Sequence, residues 1–526
     1  MKSRQVVWIV AGAYAVLTVL YLFPLFRNFS GLAGHGDAWQ FVWNIWWIKY
    51  AWAHDVSIWY TNMLHWPSGI PLILQTFTLA SSLPAAALSY LIGLVPAYNV
   101  MVIVHFVFSG LGMYLLCWYI TRNTFASFLG GFLFTFSPYH FVHFYGHLHL
   151  LAIEVFPFAV LFLLRTLEGK KWDWIGAGIV CGLTAYVDWY YLFFLFLIFA
   201  VIIFWNLAFK REARTRGVLL RLGLIVLCAV IIALPYLGTV VHGTYHNPDF
   251  DILGHDPLLN STDLKSFFIP GGRSVYQEAT SWYWDHWPAW RETGSYIGYT
   301  VIVLLLWGLW KACLPAGKAR SNHFFLWSFL GILFAVLSLG PYLQIGGRII
   351  TSFHLPYYWL AEHISILQYA GVPVRFFVVT LFCLAILTSK VITRVLTYRH
   401  GMKIAIIFFI LLAFEYLPAP VEVSAVTVSP FYETLRSEPG DFAVIDRSDA
   451  EAKVLYYQTI HEKHLIGGYT TRPTVSTERF LKETDFMNKK ILQELNVRYI
   501  LTKPDEILTF PLVYQDSFLT AYQVPQ

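Results

Sequence analysis

Residues 34–66 read GHGDAWQFVWNIWWIKYAWAHDVSIWYTNMLHW, and this stretch decides how the rest of the chain is interpreted. It begins just beyond the first apolar segment, residues 5–26, with one acidic residue, Asp37, set among glycines. At helical spacing the indole rings that follow lie mainly on one face, which is typical of a helix at the membrane–water interface. We therefore predict that Asp37 lies at a bilayer surface, in the loop that carries the functional site.

The composition is that of a polytopic membrane protein. The chain has 526 residues, of which 57% are hydrophobic and only 13% are charged, and its mean hydropathy is +0.56. A soluble protein of this size would carry about a quarter charged residues. The net charge of +5 follows membrane topology and indicates no nucleic-acid partner. The five cysteines show no paired spacing, so we predict neither disulfides nor a cysteine metal site.

The distribution of Lys and Arg predicts the orientation of the chain in the cell membrane. Lys2 and Arg4 precede the first apolar run, which places the N-terminus in the cytoplasm and Asp37 outside. Arg122 and the later basic clusters fall on the cytoplasmic side only if residues 79–94 form a re-entrant or interfacial helix. This reading gives about eleven spans. The predicted outer loops are residues 27–78, 242–295 and 340–374.

The predicted fold class is an all-α membrane protein with a small extracytoplasmic α/β domain. The composition changes at Leu417-Pro418-Ala419-Pro420 to that of a soluble domain. We therefore predict a transmembrane domain over residues 1–419 and an α/β domain over residues 420–526. Its predicted elements are strands at 442–445 and 497–501, a helical stretch at 476–495, and a hairpin formed by 512–514 and 520–524.

The outward ends of the predicted helices carry His, Asp, Glu and aromatic residues, whereas the inner ends carry Lys and Arg. Ionisable side chains this close to a membrane are costly, so they suggest function. The predicted substrate-binding residues are His35, His140, His143, His147, His149, Glu154, Asp188 and Arg375. We expect Asp37 to lie within about 10 Å of at least one histidine of the 140–147 segment, the reach needed for shared substrate contacts.

Several short motifs resemble those of the GT-C glycosyltransferases, above all the bacterial branch that modifies lipoteichoic acid and other surface polymers. The motifs are Gly36-Asp37, Ser137-Pro138-Tyr139, Leu339-Gly340-Pro341-Tyr342, His354-Leu355-Pro356-Tyr357 and Pro373-Val374-Arg375-Phe376. The resemblance implies transfer of a sugar from a polyprenyl-phosphate carrier to an extracytoplasmic glycan or lipid acceptor. Family members often carry a second acidic residue beside the first, where this chain has His35.

The chemistry of glycosyl transfer leads to the same residues. A base must take the proton of the acceptor hydroxyl, and Asp37 fits this role; the alternative is that Asp37 only caps the helix that starts at Ala38. A cation or hydrogen-bond donor must hold the departing phosphate, and the guanidinium of Arg375 fits. The alternative for Arg375 is an interfacial anchor that snorkels to the lipid headgroups.

The histidines admit a second interpretation. His143 and His147 stand four residues apart, so one helical face could present both to zinc or manganese. No cysteine or clear carboxylate triad accompanies them, and we predict no metal and no cofactor. Contacts to sugar or phosphate are the favoured role, and ordinary interfacial histidines are the other alternative.

Two functions of other classes compete with the enzyme. A transporter or flippase of lipid-linked glycans should show matching halves and ionisable residues near the midplane. Here the ionisable residues cluster at one surface and the halves do not match, which favours an enzyme. A non-catalytic membrane protein that binds cell-surface polymer predicts no deep cavity around Asp37.

Overall fold

The computed structural model describes residues 2–73, 75–246, 254–271, 273–288, 291–312 and 322–525. Helices dominate the membrane region, residues 2–419, and a mixed sheet lies in the C-terminal region, residues 420–525. This confirms the predicted fold class. Parts of the predicted outer loop 242–295, namely residues 247–253, 272, 289 and 290, lie outside the described residues.

Among its described residues, the membrane region contains nineteen α-helices and five short strands. The helices are α1 (Lys2–Tyr21), α2 (Phe23–Arg27), α3 (Ala38–Ala53), α4 (Leu79–Ile92), α5 (Leu94–Thr121), α6 (Thr124–Thr135), α7 (Pro138–Phe144), α8 (Leu148–Leu151), α9 (Val155–Leu167), α10 (Asp173–Thr184), α11 (Trp189–Phe209), α12 (Arg216–His246), α13 (Gln277–Trp284), α14 (Tyr299–Ala312), α15 (Asn322–Ser338), α16 (Pro356–His363), α17 (Ser365–Ala370), α18 (Phe377–Val395) and α19 (Gly401–Glu415). The strands are β1 (Leu32–Ala33), β2 (Tyr60–Thr61), β3 (Ile70–Pro71), β4 (Leu343–Ile345) and β5 (Arg348–Ile350). Single 3₁₀ turns occupy Arg211–Arg214, Leu264–Phe267 and Pro373–Phe376.

In the described part of the chain, six segments are long and apolar enough to cross a membrane. They are Arg4–Tyr21, Leu94–Thr121, Leu148–Leu167, Trp189–Phe209, Arg216–Gly243 and Pro373–Val395. Shorter apolar helices are Leu79–Ile92, Thr124–Thr135, Asp173–Thr184, Tyr299–Trp310 and Phe324–Ser338. The protein is therefore a multi-pass membrane protein, while the number of about eleven spans stays a prediction.

Helix α4 bears on the predicted topology. It has 14 residues and contains Pro84. At 1.5 Å per residue it is about 21 Å long, which is short of the roughly 30 Å of a hydrocarbon core. It ends at Gly93, with φ of 88°, and α5 begins at the next residue. Helices α6 and α10, with 12 residues each, are shorter still, so length does not single out α4 and the re-entrant or interfacial placement of residues 79–94 stays a prediction.

Helix α3 is not the interfacial belt that the sequence predicts. The tryptophans of its aromatic face are buried, each at most 6% exposed: Trp39, Trp43, Trp46 and Trp47. The indole of Trp43 donates a 2.8 Å hydrogen bond to Oε1 of Gln458, and the Trp39 ring lies 5.1 Å from that of Tyr456. The prediction was wrong because periodicity identifies an aromatic face without showing what covers it. The C-terminal region covers this one.

The C-terminal region folds around a five-stranded sheet. The strands of the region are β6 (Val423–Ser424), β7 (Ala443–Asp446), β8 (His464–Leu465), β9 (Val497–Thr502), β10 (Leu512–Gln515) and β11 (Thr520–Gln523), and all of them except β6 belong to this sheet. The helices of the region are α20 (Phe431–Ser437), α21 (Glu451–His461), α22 (Val475–Glu483) and α23 (Lys489–Glu494). The sheet order is β10-β11-β9-β7-β8, with β7 parallel to β8 and β9. The two predicted buried strands and the closing hairpin are confirmed, and the predicted helical stretch divides into α22 and α23.

Strand β6 pairs with the membrane region instead of the sheet. It runs antiparallel to β1, with Leu32 opposite Ser424. The amide of Gly34 donates to the Glu422 carbonyl at 3.1 Å, and the Ser424 hydroxyl donates to the Gly34 carbonyl at 2.7 Å. The loop that leads to Asp37 is therefore held by the C-terminal region.

Candidate active site

Three loops meet near Asp37 because their backbones approach each other closely at glycines. Gly34 has φ of +85°, and a Cβ there would lie 3.0 Å from Cα of Tyr145. The amide of the next residue, His35, donates to the Tyr145 carbonyl at 3.2 Å. A Cβ at Gly294 would lie 2.7 Å from Cα of Tyr139. The first outer loop and the loop before α14 therefore both pack on the segment that contains α7.

Asp37 precedes α3 but does not cap it. Its backbone is helical, with φ of −61° and ψ of −14°, and its side chain makes no capping hydrogen bond. Oδ1 accepts a 2.8 Å hydrogen bond from the Tyr469 hydroxyl, and Oδ2 lies 3.9 Å from Nε2 of His147. The helix-cap alternative is thus wrong, and the distance to His147 is within the expected reach of about 10 Å. The carboxylate is 32% exposed, so a substrate can approach it.

A row of acidic and basic groups leads from Asp37 into the protein. Nδ1 of His147 lies 3.1 Å from Nδ1 of His143, whose Nε2 lies 3.7 Å from Oε2 of Glu292. Oε1 of Glu292 accepts hydrogen bonds of 2.9 and 2.7 Å from Nε and Nη2 of Arg375. We call Asp37, His147, His143, Glu292 and Arg375 the charge row.

The protonation of the charge row follows from burial and neighbouring charges. Burial lowers the pKa of His143 well below the range of a free imidazole, and burial also lowers the pKa of His147. Burial alone would raise the pKa of Glu292, but Arg375 and the two imidazoles hold it at about 2. At neutral pH the two histidines of the charge row are therefore uncharged. They lie between the carboxylates of Asp37 and Glu292, and the guanidinium of Arg375 lies at the inner end of the row.

Arg375 does not offer the free guanidinium that the sequence predicts. Its side chain is 12% exposed, and two of its nitrogens bind Glu292. The guanidinium carbon lies 5.2 Å from the ring centre of Tyr190. The head of the side chain is buried, so the snorkelling alternative is wrong as well. The ion pair with Glu292 offsets the charge of Arg375. In return, the two hydrogen bonds from Arg375 fix the position of the Glu292 carboxylate.

Glu292 and Tyr469 are residues of this site that the sequence did not reveal. The side chain of Glu292 is 8% exposed and contacts His143 and Arg375. In the sequence Glu292 lies in a long outer loop without a recognisable motif. The one available signal was an acidic residue shortly before a returning apolar helix.

Two predicted substrate-binding residues are engaged with the protein itself. His140 is fully buried, with Nδ1 2.8 Å from the Thr135 carbonyl and Nε2 2.9 Å from the Leu151 carbonyl. Glu154 lies 2.7 Å from Nδ1 of His105 on α5. Both side chains hold helices together, because their polar atoms already have partners. We therefore leave His140 and Glu154 out of the proposed site.

His35 lies on the same loop as Asp37 but contacts residues outside the charge row. Its Nε2 lies 3.2 Å from Nη2 of Arg273 and 3.5 Å from Oε2 of Glu422. Burial lowers the pKa of His35, and the Arg273 guanidinium adds to this effect. The guanidinium also lies 3.9 Å from the ring centre of Tyr145. His35 thus belongs to a partly exposed polar cluster that borders the site.

His149 and Asp188 connect the charge row with a cavity. Nε2 of His149 lies 3.9 Å from Oδ2 of Asp188, and its ring centre lies 5.8 Å from that of His147. Asp188 also caps α11 by accepting a 3.1 Å hydrogen bond from the Tyr191 amide. The cavity has a volume of about 250 Å³. Its mostly apolar and aromatic lining includes Ile73, Phe77, Leu79, Tyr186, Asp188, Trp189, Tyr190, Tyr236, Val240, Tyr369 and Arg472.

Three side chains of the charge row have the arrangement of metal ligands. Ligand atoms of His143, His147 and Glu292 all lie within 4.8 Å of one another. Oε2 of Glu292 is buried and has no hydrogen-bond partner among the described residues. Two imidazole nitrogens and one carboxylate oxygen suit zinc or manganese. The structure therefore supplies the third ligand that is not apparent from the sequence.

Comparison with known proteins identifies both a family and a fold. Residues 9–414 match the family described as "Domain of unknown function (DUF6311)", and no curated protein matches the chain. The structure is similar to the oligosaccharyltransferase of Archaeoglobus fulgidus in complex with Zn and sulfate, with 14% sequence identity, a TM-score of 0.50, and coverage of 94% of this chain and 67% of that one. It is also similar to the arabinofuranosyltransferase AftD from Mycobacteria, with 11% identity and a TM-score of 0.61.

These similarities concern the fold. Both structures are GT-C membrane glycosyltransferases, so the resemblance seen in the motifs is confirmed at the level of the fold, while the bacterial surface-polymer branch stays a prediction. The match covers 99% of this chain but only 42% of AftD. The structural similarity shows that the chain has the GT-C fold. Since the family match extends over most of the sequence, the chain belongs to the DUF6311 family.

Proposed function

We propose that the protein is a membrane glycosyltransferase that moves a sugar from a polyprenyl-phosphate carrier to an extracytoplasmic glycan or lipid acceptor. The observation that carries this proposal is the setting of Asp37. Its carboxylate is partly exposed, is not used as a helix cap, and lies 3.9 Å from a histidine. The same row of polar residues continues to a cavity among apolar helices.

Asp37 is the proposed general base. It takes the proton of the acceptor hydroxyl while the hydroxyl oxygen forms a bond to the anomeric carbon of the sugar. The bond between that carbon and the phosphate oxygen breaks, and the carrier leaves as polyprenyl phosphate. Tyr469 holds Oδ1 of Asp37, so Oδ2 faces the acceptor and the neutral His147. The sugar contacts fall to His147, whose side chain is 27% exposed, and to Asp188, which lines the cavity. His143 and His149 are buried and hold these two side chains in place.

The two rival functions predict different structures. A transporter requires ionisable groups along a path through the membrane, whereas the charge row joins Asp37 of the first outer loop to the residues around α7 and Glu292. A non-catalytic polymer-binding protein predicts no deep cavity around Asp37. The cavity of about 250 Å³ is lined by Asp188, and Asp37 is linked to it through His147 and His149. These observations support the enzyme.

The proposed orientation follows from contact and charge. We propose that residues 1–419 form the transmembrane domain, with the N-terminus in the cytoplasm, and that residues 420–526 form an extracytoplasmic domain. Asp37 and Tyr469 are hydrogen-bonded, so the first loop and the C-terminal region lie on the same side of the membrane. Lys2 and Arg4 at the other end of α1 favour the cytoplasm for the N-terminus.

The direct test is an assay of the full chain in nanodiscs with a sugar-loaded polyprenyl phosphate and candidate acceptors. An enzyme releases free polyprenyl phosphate and produces a glycosylated acceptor. A parallel assay in liposomes follows whether the intact lipid-linked sugar changes leaflet. Movement of the intact donor without release of the carrier would favour the transporter and contradict the proposal.

A further inference from the structure

Arg472 lines the cavity beside Asp188 although it belongs to the C-terminal region. Its backbone is fixed there by Gln75, whose Nε2 donates to the Arg472 carbonyl at 2.7 Å and whose Oε1 accepts from the Arg472 amide at 3.2 Å. The Thr471 hydroxyl donates to the same Oε1 at 3.0 Å. The segment that carries Arg472 is thus attached to the membrane region at the edge of the cavity.

The charge of Arg472 is available, unlike that of Arg375. Nη1 of Arg472 donates to the Tyr369 carbonyl at 3.2 Å, and among the described residues no carboxylate forms an ion pair with its guanidinium. Arg375 instead binds Glu292 at 2.7 Å. The Asp188 carboxylate lines the same cavity, yet within the described part of the chain it is not ion-paired with Arg472. A guanidinium that is not held by a contacting carboxylate, in a concave site, is suited to bind phosphate oxygens through its fork of donors.

The rest of the cavity is suited to an apolar chain. Trp189 and Tyr190 begin α11, and Tyr236 and Val240 belong to α12. Helix α12 is long and apolar enough to span a membrane, and only 17% of its most apolar 18-residue stretch is buried inside the protein. One part of this helix therefore lines the cavity while most of it faces lipid, which gives a long hydrocarbon chain access from the bilayer.

We infer that this cavity binds the phosphate end of a polyprenyl-phosphate donor, with Arg472 on the phosphate and the isoprenoid chain along the aromatic side chains of α11 and α12. The inference rests on the proposed function and identifies its donor site. Asp188, in the same cavity, accepts hydrogen bonds from sugar hydroxyls. Its contacts through His149 and His147 lead from the donor to Asp37. The C-terminal region then completes the donor site.

The test measures binding of a sugar-free polyprenyl phosphate to the full chain in nanodiscs. We expect Arg472→Ala to weaken binding at least about tenfold, the effect of losing a charge-assisted contact, and Arg472→Lys to recover part of it because the charge remains. Arg479→Ala is the matched control, since Arg479 is exposed on α22 and does not line the cavity. The corresponding polyprenol, which lacks the phosphate, should bind wild type and Arg472→Ala equally.

The outcomes separate this site from the proposed reaction. Equal binding of polyprenyl phosphate by wild type and Arg472→Ala overturns the inference, and so does competition by inorganic phosphate at the same concentration as the lipid. If Arg472→Ala does not fold, Arg472→Gln keeps a donor for the Tyr369 carbonyl, lacks the charge and gives the same comparison. Weakened binding together with no transfer by wild type refutes the proposed function but supports the site. Transfer by wild type with undiminished binding by the variant refutes the site alone.

Discussion

The hydroxyl of Tyr469 donates a 2.8 Å hydrogen bond to Oδ1 of Asp37, across 432 residues of sequence. The bond joins the proposed base, in the first outer loop, to the C-terminal region. Oδ2 has His147 at 3.9 Å, beyond hydrogen-bonding distance. One oxygen is therefore positioned by the protein, and the other is left for the proton of an acceptor hydroxyl.

We expect Asp37→Asn to abolish transfer without unfolding the protein. Asparagine keeps an oxygen that accepts from Tyr469, and no helix cap is lost because Asp37 does not cap α3. It cannot take a proton, so turnover should fall at least about a hundredfold, measured as release of polyprenyl phosphate. Asp55→Asn is the control, since Asp55 is exposed. Full activity of Asp37→Asn would exclude Asp37 as the base.

Breaking the Arg375–Glu292 pair should destabilise the protein from either side. Arg375→Met leaves the Glu292 carboxylate buried without its cation, and Glu292→Gln leaves the guanidinium unpaired, each at a cost of about 3–5 kcal/mol. The double variant Arg375→Met/Glu292→Gln removes both charges and should melt above either single variant in detergent. If the loss of stability in the double variant equals the sum of the losses in the two single variants, the two side chains act independently.

The stability of the protein should decline on the acid side. The pKa of Glu292 is lowered from 4.5 to about 2, so its contribution is complete above the unfolded value and is lost as the pH falls toward the folded one, about 3 kcal/mol in all. His143 and His147 also have lowered pKa values, so the unfolded chain binds their protons first and stability already decreases below about pH 6.5. Melting temperature recorded against pH checks both steps. Glu292→Gln should lack the lower step, and a flat wild-type curve would contradict the assignment.

The sequence alone predicts no metal, but the geometry of His143, His147 and Glu292 leads us to expect that a divalent cation stabilises the protein. At a concentration a hundred times the dissociation constant the gain is about 2.7 kcal/mol, which Mn²⁺ or Zn²⁺ should show as a higher melting temperature that EDTA reverses. His143→Ala and Glu292→Gln should lose this shift, whereas His400→Ala, at an exposed histidine, should keep it. An unchanged melting temperature of wild type with either metal would show that the three side chains act without one.

Local patterns in the sequence were sufficient for much of the fold. Runs of β-branched and aromatic residues located β7 and β9, because each strand is buried whatever its neighbours are. The short, Pro-interrupted run at residues 79–94 was separated from α5, and the structure ends α4 at Gly93. Asp37 was singled out by its place beyond the first apolar run, a property of the sequence alone.

What the sequence could not provide was the identity of long-range partners. The tryptophans of α3 gave a clear face, but their cover, including Gln458, lies more than 400 residues away. The role of Arg375 changed once Glu292, 83 residues earlier, proved to bind it. Arg472 carried no motif, and only the fold shows that it lines a cavity of the membrane region. Periodicity records which face is apolar, not which residues meet it.

The pairing of β1 with β6 has a consequence for biogenesis. The Gly34 carbonyl receives its hydrogen bond from a serine 390 residues further along the chain. At about 5–20 residues per second, a ribosome needs roughly 20–80 s to make that partner after the first loop has been synthesised. During this interval the loop lacks both its strand partner and Tyr469. Asp37 thus acquires its final surroundings only after Tyr469 has been synthesised, so a nascent chain that has not reached this residue carries an unassembled site.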